Sequence, residues 1–263
     1  MRLPVNRLFS NAGNIFSMDI QTTCSFNTYR LGNPSLSCEV EMTTASISSV
    51  SNLNSYICRV GMFFDTELNY ISGQFIHVTL ECGRSGYFSI ASPERVGQTI
   101  ELHIADTGKP DSFLSKLQVG DKVSVAGPMG NAWLRLDTYR PIIILAFGSG
   151  YSYARSILLT EASNDTNRKV SFYWITQTEK DFYERDMLES LPERFSVNLL
   201  HFPKGEGTNK SVINALKNKI KEHPAIANYD AYLVGKRREC LLIRQVICSR
   251  FGANVTRVYS DSF

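Results

Sequence analysis

Ile142–Ala146 is an unbroken apolar run, Ile-Ile-Ile-Leu-Ala, set between Pro141 and Phe147-Gly148-Ser149-Gly150. A strand with one wet face would alternate apolar and polar residues, so a continuous run points to a strand covered on both faces, as in parallel sheets. Crossing a bilayer takes about twenty apolar residues, and Pro141–Phe147, the longest apolar stretch of the chain, falls far short. The glycines that close the run mark a tight turn. Helical pattern follows at Tyr153–Ala162, strand at Val170–Ile175 and helix at Phe182–Leu191. Strand returns at Val197–Phe202, helix at Ser211–His223, strand at Ala231–Gly235, helix at Glu239–Phe251, and Val255–Tyr259 closes the series. Such alternation predicts a parallel sheet with helices on both faces.

The preceding half has a different period. Ser37–Ala45, Tyr56–Phe63, Phe75–Leu80, Ile100–Ala105 and Lys122–Ala126 are short β-rich segments punctuated by Gly73, Gly83 and Gly86. A short helix is expected at Asp111–Lys116. Many short strands with few helices suggest a barrel or sandwich. Residues 1–35 show no sustained apolar period and read as a disordered extension. The expected organisation is therefore an extension over 1–35, a β domain over 36–137 and an α/β domain over 138–263, joined near Leu136–Arg140.

Of the 263 residues, 43% are hydrophobic and 20% charged, with a net charge of +3. These are values of an ordinary globular protein, and so small an excess gives no reason to expect nucleic acid as a partner. The six cysteines form no CxxC pair, and neither they nor the four histidines have metal-site spacing. No metal is expected. The N-terminal stretch lacks a secretory apolar region; Arg2 and Arg7, with no acid before Asp19, hint at an organelle leader. The cytoplasm is the expected location.

Three stretches carry chemistry. The first is Tyr87-Phe88-Ser89-Ile90-Ala91-Ser92-Pro93, after Gly73-Gln74-Phe75. The second runs from Gly120-Asp121-Lys122-Val123 to Gly127-Pro128-Met129-Gly130-Asn131-Ala132-Trp133-Leu134-Arg135. The third is Arg140-Pro141, the aliphatic run, Gly148-Ser149-Gly150 and Tyr151-Ser152-Tyr153-Ala154-Arg155-Ser156-Ile157-Leu158. Alone, Gly148-Ser149-Gly150 is a tight turn; between a buried strand and a helix it also lets backbone approach a pyrophosphate at the helix N-terminus. Lys236, Arg237 and Arg238 follow a strand end, where they are either a solvated charge run or phosphate contacts. Ser89 by itself reads as a strand serine bonded to neighbouring backbone.

In this order and spacing, over about residues 37–263, the stretches resemble the ferredoxin–NADP reductase superfamily. Ala132–Arg135 and Tyr151–Leu158 are most similar to bacterial NAD(P)H:flavin reductases, including the luminescence-associated type; Val170–Tyr183, Tyr232–Gly235 and Tyr259–Phe263 also fit. The resemblance implies an antiparallel flavin-binding β-barrel followed by an α/β nucleotide-binding domain. It implies a flavin (FMN, FAD or riboflavin) and NADH or NADPH, with hydride passing between them. The flavin motif maps to Phe88, Ser89, Ile90, Ala91 and Ser92, with Ser89 at flavin N5. Gly148, Ser149 and Gly150 would seat the nucleotide, and Lys236 and Arg237 would reach its phosphates. His103, Ile104 and Tyr151 are further implied cofactor contacts, and Phe263 would cover the flavin or nicotinamide. The implied partners are a flavin-dependent monooxygenase or a ferric acceptor. Two rival readings are a reductase with tightly held flavin serving an oxygenase, and a degenerate binding protein without catalysis.

Two residues depart from the family pattern. Gly86 stands where most members have a flavin-contacting Arg, which implies weak flavin retention, with Arg84 as a nearby substitute. Phe147 replaces a glycine of the nucleotide loop and either crowds the pyrophosphate or packs under the turn.

Overall fold

Two sheets account for the strands in the computed structural model, which describes residues 42–94, 97–106, 108–202, 209–223 and 225–262. The expectations for residues 1–35 and for Phe263 lie outside the described residues. The first sheet contains β1 (Met42–Asn52), β2 (Ile57–Phe64), β3 (Phe75–Leu80), β4 (Ser85–Ser89), β5 (Thr99–Ala105) and β6 (Lys122–Met129). Its order is β4-β3-β6-β1-β2-β5, every pair antiparallel. A bridge between Ile90 and Leu102 joins its two edges and curls the sheet into a barrel. Alternate residues point inward, as a period of two requires: Val60 faces Leu102, Met62 faces Ile100 and Val78 faces Val125 across the ladders, all buried.

The second sheet is parallel, built from β7 (Ile142–Phe147), β8 (Val170–Thr176), β9 (Phe195–His201), β10 (Asp230–Val234) and β11 (Val258–Tyr259), in the order β11-β10-β7-β8-β9. The order reverses at β7, whose carboxyl end is therefore the topological switch point. β7 is buried on both sides. Ile142, Ile144 and Ala146 join the core that contains α1 (Tyr151–Ser163); Ile143 and Leu145 join the core formed with α3 (Asn209–Ile220) and α4 (Arg237–Phe251).

Several elements differ from expectation. The helix expected at Phe182–Leu191 shrinks to α2 (Arg185–Glu189), because Phe182 and Tyr183 turn into the core and Glu184 takes a left-handed conformation (φ 55°). Asp111–Lys116 supplies one 3₁₀ turn, Leu114–Lys116, and Val255–Tyr259 divides into a 3₁₀ turn and the two-residue β11. β1 continues to Asn52, where its exposed serines give no apolar alternation. The strand β4 itself carries no buried residue, so the sequence shows no strand period there.

A buried polar centre ties the linker to the second sheet. Arg168 and Arg140 both bond the fully buried Asp230 carboxylate, at 2.9 and 3.0 Å, and Arg168 also donates to the Arg135 carbonyl at 2.9 Å. The Arg135 guanidinium stacks between Trp133 and Tyr259, 4.4 Å from each ring centre. Asp261 accepts the backbone N–H groups of Asn131 and Ala132 at 2.7 and 3.2 Å. Burial raises the Asp261 carboxyl above the ordinary range, while those two donors pull it down.

Candidate active site

The carboxyl end of β7 and the end of β4 meet beside the start of α1. The expected nucleotide loop, Gly148–Gly150, is a single 3₁₀ turn running directly into α1. Gly148 sits at φ +54° with open space above it, so the positive dihedral, not crowding, selects glycine. Gly150 is selected by close packing: a Cβ there would stand 3.0 Å from the Val234 carbonyl oxygen. Ser149 is exposed. The indole N–H of buried Trp174 donates to the Gly148 carbonyl at 3.0 Å and pins the turn to the sheet. Phe147 is half-buried and packs against the core on the α3/α4 side. Lys236, Arg237 and Arg238 are exposed at the start of α4, with no ion-pair partner among the described residues.

The segment expected to meet a flavin is the end of β4. Ser89 is half-exposed, and its hydroxyl makes no hydrogen bond among the described residues, leaving it available to a ligand. Phe88 is half-exposed and packs on Phe113 with ring centres 4.7 Å apart. The same ring lies over Gly86, where a Cβ would come within 2.6 Å of it. Any side chain at position 86 therefore competes with Phe88 for one space. Arg84 does not fill that place: its Nη1 donates to the Ser112 carbonyl at 3.0 Å and to Ser115 Oγ at 3.3 Å.

The other expected contacts are placed as follows. Ile90 and Ile104 turn their side chains into the barrel core, and Ala91 is fully buried. Ser92 Oγ is engaged by the Glu101 N–H and by Tyr70. Tyr151 is buried and stacks on Trp174 at 3.9 Å with an interplanar angle of 8°, its hydroxyl on Glu184. Such a stack is worth about 0.5–1.5 kcal/mol beyond its burial. The Tyr151 backbone N–H is turned to the Gly148 and Ser149 carbonyls. His103 is also sealed, with Nε2 2.7 Å from Glu101 Oε1 and Nδ1 3.2 Å from the Tyr183 hydroxyl.

His103 belongs to a charged network that joins the two sheets and gave no signal in the sequence. Glu184 receives Arg59 at 2.5 Å and Arg155 at 2.7 Å; Glu101 receives Arg59 at 3.2 Å and Arg155 at 3.4 Å. Donor atoms of Glu101, His103 and Glu184 all lie within 4.8 Å of one another, a metal-like spacing, but the two guanidiniums already supply the positive charge. Burial lowers the His103 pKa and outweighs its bond to Glu101, so the ring is neutral near pH 7. Burial raises the Glu101 carboxyl, yet the His103 bond and the charges of Arg155, His103 and Arg59 hold it below the ordinary value. Against these partners Glu184 keeps its left-handed backbone, which costs a non-glycine residue roughly 1–2 kcal/mol.

The glycine turn stands at the carboxyl end of the strand where the sheet order reverses, the place where open α/β sheets bind their ligands. Residues 44–133 match the oxidoreductase FAD-binding domain family. Over 232 residues the chain is 28% identical to a probable flavin reductase of Vibrio harveyi, covering 83% of this chain and 97% of the relative. It is also 28% identical over 228 residues to an NAD(P)H-flavin reductase of Aliivibrio fischeri, covering 82% and 96%. The ferredoxin-NADP+ reductase of Plasmodium falciparum has the same fold, with a TM-score of 0.73 at 14% identity over 84% of this chain and 96% of that one. The match begins in β1 and ends just past β6, so it covers the barrel. Among the described residues no helix is long and apolar enough to cross a membrane.

Proposed function

We propose that the chain is an NAD(P)H-dependent flavin reductase that takes FMN, FAD or riboflavin as a diffusing substrate. One contact carries the reading: the Ser152 hydroxyl donates to the Ser89 carbonyl at 3.1 Å. It puts the strand end with the free hydroxyl against the first turn of the helix that starts at the glycine turn. The two ligands supply the redox chemistry, as a hydride passes from nicotinamide to flavin. The protein contributes alignment, an effect that is large when reacting atoms are held in contact. Ser89 bonds the flavin edge at N5, and Phe88 flanks the ring. The N–H groups at Gly148–Gly150 receive the pyrophosphate, with Lys236 and Arg237 as counter-charges. Phe263 is proposed as a cover for the flavin or nicotinamide.

The diffusing-substrate reading rests on Gly86. Phe88 fills the space beside it, and Arg84, held by the 112–115 segment, does not supply the multiple charge-assisted bonds of an Arg at that place. Reduced flavin leaving such a site suits a flavin-dependent monooxygenase or a ferric acceptor, in the cytoplasm. The test is NAD(P)H oxidation with and without added FMN, on protein whose visible spectrum has been recorded. Colourless protein with FMN-dependent oxidation is expected. A retained flavin band near one equivalent overturns the diffusing-substrate reading, and absence of oxidation overturns the enzyme.

A further inference from the structure

One face of α1 holds the flavin-side segment by its backbone. Ser152 donates to the Ser89 carbonyl at 3.1 Å, Arg155 Nη1 to the Ala91 carbonyl at 2.9 Å and Ser156 to the Ser92 carbonyl at 2.7 Å. One turn further on, Thr160 Oγ1 accepts the Glu94 N–H at 2.9 Å. Positions 152, 155, 156 and 160 share a single helix face. On a helix that buries Tyr151, Ala154, Ile157 and Leu158 in an apolar core, this polar stripe points at the other sheet. The same Arg155 bonds Glu184 and Glu101, so its guanidinium touches a loop of the second sheet and a strand of the barrel at once.

We propose that Arg155, assisted by Ser152 and Ser156, is a positioning residue for hydride transfer. The inference rests on the flavin reductase reading and deepens it. The glycine turn that receives the nucleotide and the strand that presents Ser89 are fastened to one rigid helix, so α1 sets the spacing between the two ligands. Loosening the fastening leaves each ligand its own seat but lets the donor carbon of the nicotinamide and the acceptor nitrogen of the flavin drift apart. Turnover falls while the Michaelis constants hold, and the chemical step becomes more rate-limiting.

The experiment compares wild type with Arg155→Lys, Arg155→Met and the double variant Ser152→Ala/Ser156→Ala, which removes only neutral bonds. Arg194→Met is the stability control, since Arg194 caps carbonyls at the far end of α1, Glu161 at 2.8 Å and Asn164 at 3.0 Å. The readouts are kcat, KM for NAD(P)H and for FMN, the isotope effect with nicotinamide deuterated at C4, and Tm. The serine double variant and Arg155→Met should lose at least tenfold in kcat with both KM values within threefold and a larger isotope effect. Arg155→Lys should recover part of the loss, and Arg194→Met should lower Tm with kcat kept. Wild-type kcat in the folded serine double variant overturns the inference alone, as does an equal loss in Arg194→Met. A wild type that oxidises no NAD(P)H overturns the flavin reductase reading and this inference with it.

Discussion

β7 and β4 deliver the two halves of the site by opposite means. β7 is central, its residues Ile142–Ala146 are fully buried, and its end is held by packing on two cores. β4 is an edge strand with no buried residue, and the segment it leads into is held by three side-chain donors from a helix of the other sheet. Packing fixes a backbone against large distortions, whereas a few directed bonds fix it at one distance. The proposed nucleotide end of the site is thus a property of a hydrophobic core, and the proposed flavin end a property of a polar contact.

The largest effect should come from breaking the packed half. Ile144→Ala removes a side chain from the centre of β7 and should cost about 2–5 kcal/mol, read as a lowered denaturation midpoint. A cost below 1 kcal/mol would show that β7 is not held by its core. The turn at its end should be the next most sensitive. Gly148→Val imposes a β-branched residue at positive φ, a strain of about 1–3 kcal/mol. KM for NAD(P)H should rise about tenfold or more with flavin binding near normal; equal weakening of both ligands would mark a general defect.

On the bonded half, Ser89→Ala should lower kcat by roughly tenfold to a hundredfold, the worth of one bond to a reacting centre. Its Tm should stay near wild type, because that hydroxyl has no partner among the described residues. Unchanged flavin reduction would remove Ser89 from the site.

The network between the halves should make stability depend on pH. His103 is lowered in the fold, so the unfolded chain takes up a proton first as pH falls through about 6.5. Glu101, also lowered, adds a loss at more acid pH, since its unfolded form protonates first. Both contributions are complete near neutrality and disappear on acidification. His103→Gln should flatten the fall in Tm between pH 7 and 5, and an identical profile would place the sensitivity elsewhere. The smallest effect should be in flavin choice: with Gly86 in place of an Arg, FMN, FAD and riboflavin should differ by less than about tenfold, or 1.4 kcal/mol.

What the sequence reveals follows the same division. β7, α1 and the glycine turn are legible because burial on both faces leaves a continuous aliphatic signature. β4 is not, since Gly86 and Tyr87 carry no inward period. Phe88 and Ser89 are nameable only through family resemblance. Glu184, Arg59 and Glu101 lie in unrelated segments that only tertiary folding brings together. The stripe Ser152, Ser156, Thr160 does leave a trace, small polar residues at every fourth position of α1 between the apolar residues Tyr153, Ala154, Ile157 and Leu158, and that trace points to a polar docking face.

The clamp of Asp261 on Asn131 and Ala132 spans 130 residues of chain. On a translating ribosome the barrel strands are complete long before that carboxylate exists. At roughly 5–20 residues per second the loop that leaves the barrel waits on the order of ten seconds for its lock. During that interval Trp133 lacks Arg135's other stacking partner, Tyr259, and presents its ring in a half-built sandwich. The loop that leaves the barrel is therefore locked only by a late part of synthesis.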